Sequence, residues 1–391
     1  MYLPYGKQTV TEADIESVVS VLRSDWLTQG PVVPSFEAAL AKRVGCSHAV
    51  AANSATSALH LACLALEVGP GDIVWTSPIS FVASSNCALY CGAEIDFVDI
   101  NIKTYNMDIE SLENKLEFAE RTGSLPKCVI AVHLSGKSCD MQAIKRLSEK
   151  YGFRIIEDAS HAVGATYGAT QVGSCAFSDV TVFSFHPVKI ITTGEGGVAL
   201  TNNPDLAAKM ALFRSHGITR DEALMTNRSD GMWYYQQLEL GYNYRMSDVA
   251  AALGLSQMSR LSDFVSQRNI IADRYDDLLA KFAVTLPTRE ENSVSSFHLY
   301  IMRVDTALFE ISHKALFEKF RENGIGVNLH YIPIYRHPYY QKQGFDASAF
   351  PASEAYYKTA ISLPIFPALT EEEQNSVVQI IESPKGFQNI F

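Results

Sequence analysis

From His48 to Asn202 short apolar runs alternate with helix-patterned stretches, and this alternation constrains the fold more than any other feature. "HAVAANS", "DIVWTSP", "EIDFVDI", "CVIAVHL" and "RIIEDAS" read as strands. Between them "ATSALHLACLALEVG", "SFVASSNCALYCG", "IESLENKLEFA" and "MQAIKRLSEKYG" carry helical patterns; in the first, Leu59, Ala62, Cys63 and Leu66 share one face. "CAFSDVTVFSFH" and "GGVALTN" continue the series. Each helix must cross the sheet and bury one stripe against it, so this rhythm predicts an α/β domain with a mostly parallel, covered sheet.

The flanks differ. "TEADIESVVSVLRS" opens with Thr11 and Asp14 in a capping arrangement, and "SFEAALAKRVG" is a helix ended by Gly45. Beyond residue 245, "SDVAAALGLSQMSRLSDFVSQRNIIADRYDDLLA" reads as one long helix. "HLYIMRV", "HKALFEKFRENG" and "VNLHYIPI" then predict a strand–helix–strand unit. The expected division is an N-terminal arm and large α/β domain over 1–260 and a smaller C-terminal α+β domain over 261–391.

Partners are bounded by charge. The formal net charge is -11 and no Lys/Arg-rich run occurs, which speaks against a nucleic-acid or anionic-membrane surface. An anionic substrate would need a local basic or helix-end site. The N-terminal residues lack the apolar core of a signal peptide, and no apolar run reaches membrane-span length. Of seven cysteines only Cys87 and Cys91 are close in sequence, with no second pair to complete a zinc site. Buried free thiols, no metal and a reducing, cytoplasmic setting are expected.

In open α/β sheets ligands sit at the carboxyl ends of the parallel strands. After "HAVAANS" the turn at Ser54, Ala55, Thr56 and Ser57 opens a helix whose unpaired N–H groups suit a phosphate; taken alone, the turn reads more simply as Ser54 or Thr56 capping the helix. No P-loop and no Gly-x-Gly-x-x-Gly dinucleotide pattern is present. Phe81 follows the second strand and could stack on a ring. Asp158 ends an apolar strand; it could pair with a protonated ring nitrogen, or serve as a structural hydrogen-bond acceptor. Lys189 lies in "SFHPVKIITTGEGG", a nearly uncharged loop after the strand "DVTVF". A lysine there can be desolvated into a Schiff-base-forming amine, or its stem can carry the charge out to water. Together, a phosphate cradle, a stacking aromatic, an aspartate and a lysine match four features of pyridoxal 5'-phosphate.

"NSATSALHLA", "SPISFVASSN", "EDASHAVGA", "FSFHPVKIITTGEGGVALTN", "FRSHG" and "LGYNYRMSDVAAALGLSQ" resemble the DegT/DnrJ/EryC1/StrS family of sugar aminotransferases, and the likeness runs from "WLTQGPVVPSFE" to "ISLPIFP". The resemblance implies the aspartate aminotransferase fold, type I of the pyridoxal-phosphate enzymes. "PISFVAS", "HAVG", "TTGEGG" and "HYIPIY" look like the subgroup of pseudaminic acid biosynthesis.

The resemblance further implies that Lys189 holds the cofactor and later carries the proton, and that Asp158 pairs with the pyridine nitrogen. Ala55, Thr56 and Ser184 would bind the phosphate, Phe81 would stack where relatives carry tryptophan, and His161 would sit near the cofactor's oxygen. Asn243 would reach the partner subunit's phosphate in a homodimer with shared sites. Tyr5, the segment Asp25, Trp26, Leu27 and Thr28, and Leu329, His330 and Tyr331 would line the nucleotide-sugar site. The expected reaction moves an amino group from L-glutamate to C4 of a UDP-linked 4-keto-6-deoxy sugar. GDP- or dTDP-linked sugars, C3 amination, a sugar dehydratase and a non-catalytic binding protein are the alternatives; the presence of Lys189, where dehydratases carry histidine, favours amino transfer.

Overall fold

The computed structural model describes residues 2–304 and 311–382. The alternating region forms one seven-stranded sheet. Its strands are β1 (His48–Ala52), β2 (Ile73–Thr76), β3 (Glu94–Phe97), β4 (Cys128–Val132), β5 (Arg154–Asp158), β6 (Val180–Ser184) and β7 (Gly197–Thr201). The spatial order is β1-β7-β6-β5-β4-β2-β3. Pairs from β3 through β2, β4 and β5 to β6 are parallel, while β7 runs antiparallel to both β6 and β1. The mostly parallel α/β architecture expected from the alternation is what forms.

β4, β6 and β7 are buried at every position, as strands covered on both faces must be. Period-2 alternation divides their side chains between separate cores. Ile130 packs with the helices Ala55–Ala65 and Ala83–Tyr90, and its neighbour Val129 packs with Ile109–Thr122 and Met141–Tyr151. The predicted capping box exists: the Thr11 N–H donates to Asp14 Oδ2 at 2.8 Å. Gly45 ends its helix in the left-handed region, at φ +75°.

Two expectations fail downstream. The long helix is two helices, Asp248–Met258 and Leu261–Leu279. Arg260 leaves helical geometry (φ -106°, ψ 5°), and its Nη2 bonds the buried Asp14 carboxylate at 2.7 Å. That tie to the N-terminal helix accounts for the break better than any local propensity. Second, "VNLHYIPI" is not a strand. Asn328 makes one isolated bridge to Ser362, and Pro333, which has no N–H to donate, leads into a 3-10 turn at Ile334–Arg336. The third strand is instead β10 (Ala360–Leu363), paired antiparallel with β9 (Tyr300–Val304), which also pairs with the short β8 (Val284–Thr285). These strands and the helices Leu261–Leu279, His313–Glu322 and Glu371–Glu382 share a separate apolar core that includes Tyr275, Phe320 and Val377.

Candidate active site

The carboxyl ends of the central strands open into a cavity of about 460 Å³. Its walls carry Ala55 and Thr56 after β1, Phe81 after β2, Asp158 at the end of β5, and Ser184 and Lys189 at and after β6. These residues come together because each follows a strand of the same sheet on the same edge.

Lys189 sits in a tight turn, its N–H bonded to the His186 carbonyl at 2.9 Å. Its side chain is half-buried: the cavity opens to one side of it, while protein crowds the amine from the others. That burial pulls the amine down from 10.5 to about 8, against the opposing pull of the Asp158 carboxylate. The alternative, a stem that carries the charge out to water, is therefore not what forms.

Asp158 is buried and held by three hydrogen bonds from two serines. Ser84 Oγ donates to Oδ2 at 2.6 Å; Ser160 donates to Oδ1 through Oγ at 2.5 Å and through its N–H at 3.2 Å. Charge-assisted bonds of this kind fix a carboxylate's direction.

At the cradle, Ser54 takes the capping role: its Oγ accepts the Ser57 N–H at 3.1 Å. This leaves the first-turn N–H groups of Ala55 and Thr56, which have no intrahelical acceptors, at the cavity wall. A Cβ on Gly197 would lie 2.4 Å from the Ala55 nitrogen, so only glycine lets β7 seat the helix start this closely.

His161 Nδ1 accepts the Ser135 N–H at 3.2 Å, which puts the ring hydrogen of the neutral imidazole on Nε2, 3.1 Å from the Tyr331 hydroxyl. Burial and the Lys189 charge hold His161 well below the usual histidine range. Tyr331 stacks on it at 6.0 Å, and Phe81, 58% exposed at the mouth, stands 6.2 Å from Tyr331. Tyr5, Leu329 and His330 complete this side, with the Tyr5 and His330 rings 5.1 Å apart.

Two groups of expected residues lie outside the cavity. Asp25, Trp26, Leu27 and Thr28 are all exposed and lie against the start of the helix Asp248–Met258, where Leu27 O accepts the Asp248 N–H at 3.0 Å. Asn243 is exposed too, and its carbonyl faces Asn53 Nδ2 at 3.4 Å, beside the cradle of its own chain. Reading the sequence missed Ser84, which orients Asp158, and His298, whose Nε2 lies 3.4 Å from Lys189 Nζ.

These residues fit pyridoxal 5'-phosphate by chemistry. A desolvated amine suits an aldehyde, a fixed carboxylate suits a ring nitrogen, and free helix-start N–H groups suit a phosphate. Among the described residues no cluster of three or more His, Cys, Asp or Glu could hold a metal ion, and no helix is long and apolar enough to cross a membrane.

Comparison with known proteins agrees. SpsC, a spore coat polysaccharide biosynthesis protein of Bacillus subtilis, is 38% identical over 383 residues, covering 97% of this chain and 96% of that one. The UDP-4-amino-4,6-dideoxy-N-acetyl-beta-L-altrosamine transaminase of Campylobacter jejuni is 39% identical over 365 residues, 93% of this chain and 92% of its own. Helicobacter pylori PseC, an aminotransferase of pseudoaminic acid biosynthesis, superposes with a TM-score of 0.88 at 32% identity, over 98% of this chain and 99% of that one. Aminotransferases of this kind use pyridoxal 5'-phosphate, and solved neighbours carry it in both PLP and PMP forms. The family profile matches residues 8–382, and the chain belongs to the DegT/DnrJ/EryC1/StrS aminotransferase family.

Proposed function

We propose that this sugar aminotransferase moves an amino group from L-glutamate to C4 of a UDP-linked 4-keto-6-deoxy-N-acetylhexosamine, in the making of a pseudaminic-acid-type sugar. It would act in the cytoplasm as a homodimer. The observation that carries the amino-transfer reading is Lys189: a crowded amine with a pKa near 8, facing the same cavity as Asp158 and the helix start at Ala55. The UDP-sugar and its C4 rest on likeness to the Campylobacter jejuni transaminase.

When bound, the cofactor supplies the electron sink for carbanion chemistry. The chain supplies the rest. Lys189, its amine pulled down to about 8, can take up and return a proton at Nζ in turn. Asp158, locked by Ser84 and Ser160, presents a carboxylate that would keep a ring nitrogen protonated. Ala55, Thr56 and Ser184 would bind the phosphate, Phe81 would cover the ring, and His161 would offer its Tyr331-bonded edge to the cofactor's oxygen.

The sugar would enter past Tyr5, Leu329, His330 and Tyr331. Residues 25–28 would line the nucleotide-sugar site, and Asn243 would reach the partner subunit's phosphate, both across the dimer. They are exposed, and Trp26 and Leu27 present large apolar surface (56% and 50% exposed) that a second copy would cover. His186, the histidine nearest Lys189 in sequence, is exposed and lies 3.9 Å from Glu195 at the rim, not in the lysine's place. This favours amino transfer over dehydration.

A panel of 4-keto and 3-keto sugars on UDP, GDP and dTDP, with L-glutamate as donor and product mass as readout, tests the proposal. Amination of the UDP-linked 4-keto-6-deoxy-N-acetylhexosamine at the highest kcat/KM supports it. Preference for a GDP- or dTDP-linked sugar, or for a 3-keto sugar, would refute the substrate while leaving the reaction class in place.

A further inference from the structure

His298 comes to Lys189 from the C-terminal part of the chain, and nothing in the sequence pattern marks it. Its ring is buried and stands 4.4 Å, centroid to centroid, from the ring of His161. Nε2 lies 3.4 Å from Lys189 Nζ, while Nδ1 is buried with no hydrogen-bond partner among the described residues. The ring is thus committed to the lysine on one side and to nothing on the other.

The backbone around it is fixed with unusual effort. The fully buried Arg268 donates Nη1 to the carbonyls of Phe297, His298 and Ile365 at 3.0, 3.3 and 3.0 Å. Taking a guanidinium out of water for three carbonyls costs stability, and burial pulls Arg268 down to about 9. The neighbouring residues are stitched to the large sheet's loops. Ser296 Oγ donates to the His161 carbonyl at 2.7 Å, Ser296 N to the Gly136 carbonyl at 3.1 Å, and Leu299 N to the Ser135 carbonyl at 3.3 Å. Gly136 has φ +102°, and a Cβ there would come within 2.4 Å of Ser296 Oγ. Glycine is what allows the two segments to touch.

We propose that His298 is the positioning residue of Lys189: its neutral Nε2 accepts an N–H from the lysine ammonium and holds Nζ at the cavity wall.

The ionisable groups that bear on Lys189 are Asp158, His161, His298 and His330. Burial and the lysine's charge keep the three imidazoles neutral: His330 falls to about 3, and His161 and His298 lie well below the usual range. At neutral pH Lys189 is mostly ammonium and needs an acceptor, not a donor. His298 Nε2 can be that acceptor only if the ring hydrogen sits on Nδ1. A hydrogen bond to the charged form raises a lysine's pKa, so the imidazole offsets part of what burial takes away. Replacing it by hydrocarbon removes the acceptor and deepens the burial, and both changes push the amine down. The inference rests on Lys189 serving the cofactor, but its test reads the lysine alone.

Competitive acetylation of the full-length, cofactor-free protein across pH, followed by mass spectrometry of the Lys189 peptide, reports that lysine's ionisation directly. Wild-type protein should inflect near 8. His298→Leu should inflect about one unit lower or more, the worth of one hydrogen bond to a charged group. His298→Gln, whose amide oxygen restores an acceptor, should return towards wild type. An unchanged inflection in the leucine variant overturns the proposal. Should that variant fail to fold, 15N NMR of histidine-labelled wild-type protein decides. A hydrogen on Nδ1 with Nε2 bare supports the assignment, and the opposite tautomer overturns it. A shifted lysine in a protein that fails to transaminate would count against the proposed function and not against His298.

Discussion

Lys189→Met should make the cofactor-free protein more stable, and the gain should depend on pH in a defined way. The lysine's pKa falls from 10.5 in the unfolded chain to about 8 in the folded one, a difference of about 2.5. At 1.36 kcal/mol per unit that is about 3 kcal/mol against folding while the amine is protonated in both states. Solvent reaching Lys189 through the cavity reduces the figure, as does the loss of the 3.4 Å contact to His298, so a gain of about 1–3 kcal/mol is expected at pH 7. Methionine is one heavy atom shorter, unbranched like lysine and uncharged, so no large void complicates the comparison. The cost is fully present below about pH 8. Between about 8 and 10.5 the unfolded chain binds more protons than the folded one, so wild-type stability rises with pH and the gap to the methionine variant closes. Urea unfolding of both cofactor-free proteins at a series of pH values measures this. A variant no more stable than wild type at pH 7, or a gap that does not narrow as the pH rises, would refute the claim that Lys189 is held in a desolvating site.

Other perturbations address other parts of the cavity. Asp158→Asn should retain some cofactor but lose activity by about 100-fold or more, because a neutral amide cannot keep a ring nitrogen protonated; steady-state kinetics within a few-fold of wild type would assign the pairing to another residue. Gly197→Ala should weaken cofactor binding and cost about 1–3 kcal/mol of stability, since its Cβ would meet the backbone of Ala55 and Ser54 at 2.4–2.6 Å and neither can yield; cofactor titration and thermal unfolding check both effects. Mixing inactive Lys189→Ala protein with Asn243→Ala protein should recover activity above either parent, because a heterodimer with shared sites holds one site free of both defects. No recovery despite demonstrated subunit exchange would confine Asn243 to its own chain.

Much of the site was legible because the fold maps sequence onto geometry simply. A parallel sheet lines up its strand ends, so Thr56, Asp158 and Lys189, scattered over the chain, could be placed at one edge from the alternation alone. What stayed hidden depends on contacts between distant segments. Arg260 breaks a helix whose local pattern is continuous, because Asp14 lies within its reach. "VNLHYIPI" has strand composition, yet it forms no strand, and Ala360–Leu363 takes the place beside β9. His298 is a lone histidine before a strand, and contacts from Arg268, Ser296 and Leu299, distant in sequence from Lys189, bring it to the lysine. Ser84 was missed for a similar reason. It lies in a helix of small residues, and its bond to Asp158 spans 74 positions.

The central claim is that Lys189 is the amine that holds the cofactor. Borohydride reduction of the purified, pyridoxal-phosphate-replete protein, followed by peptide mass spectrometry, tests it in one step. The account predicts a stable phosphopyridoxyl group on Lys189, and loss of that label when L-glutamate is added before the borohydride. A label on a different lysine, or no label at all in protein saturated with cofactor, would contradict it.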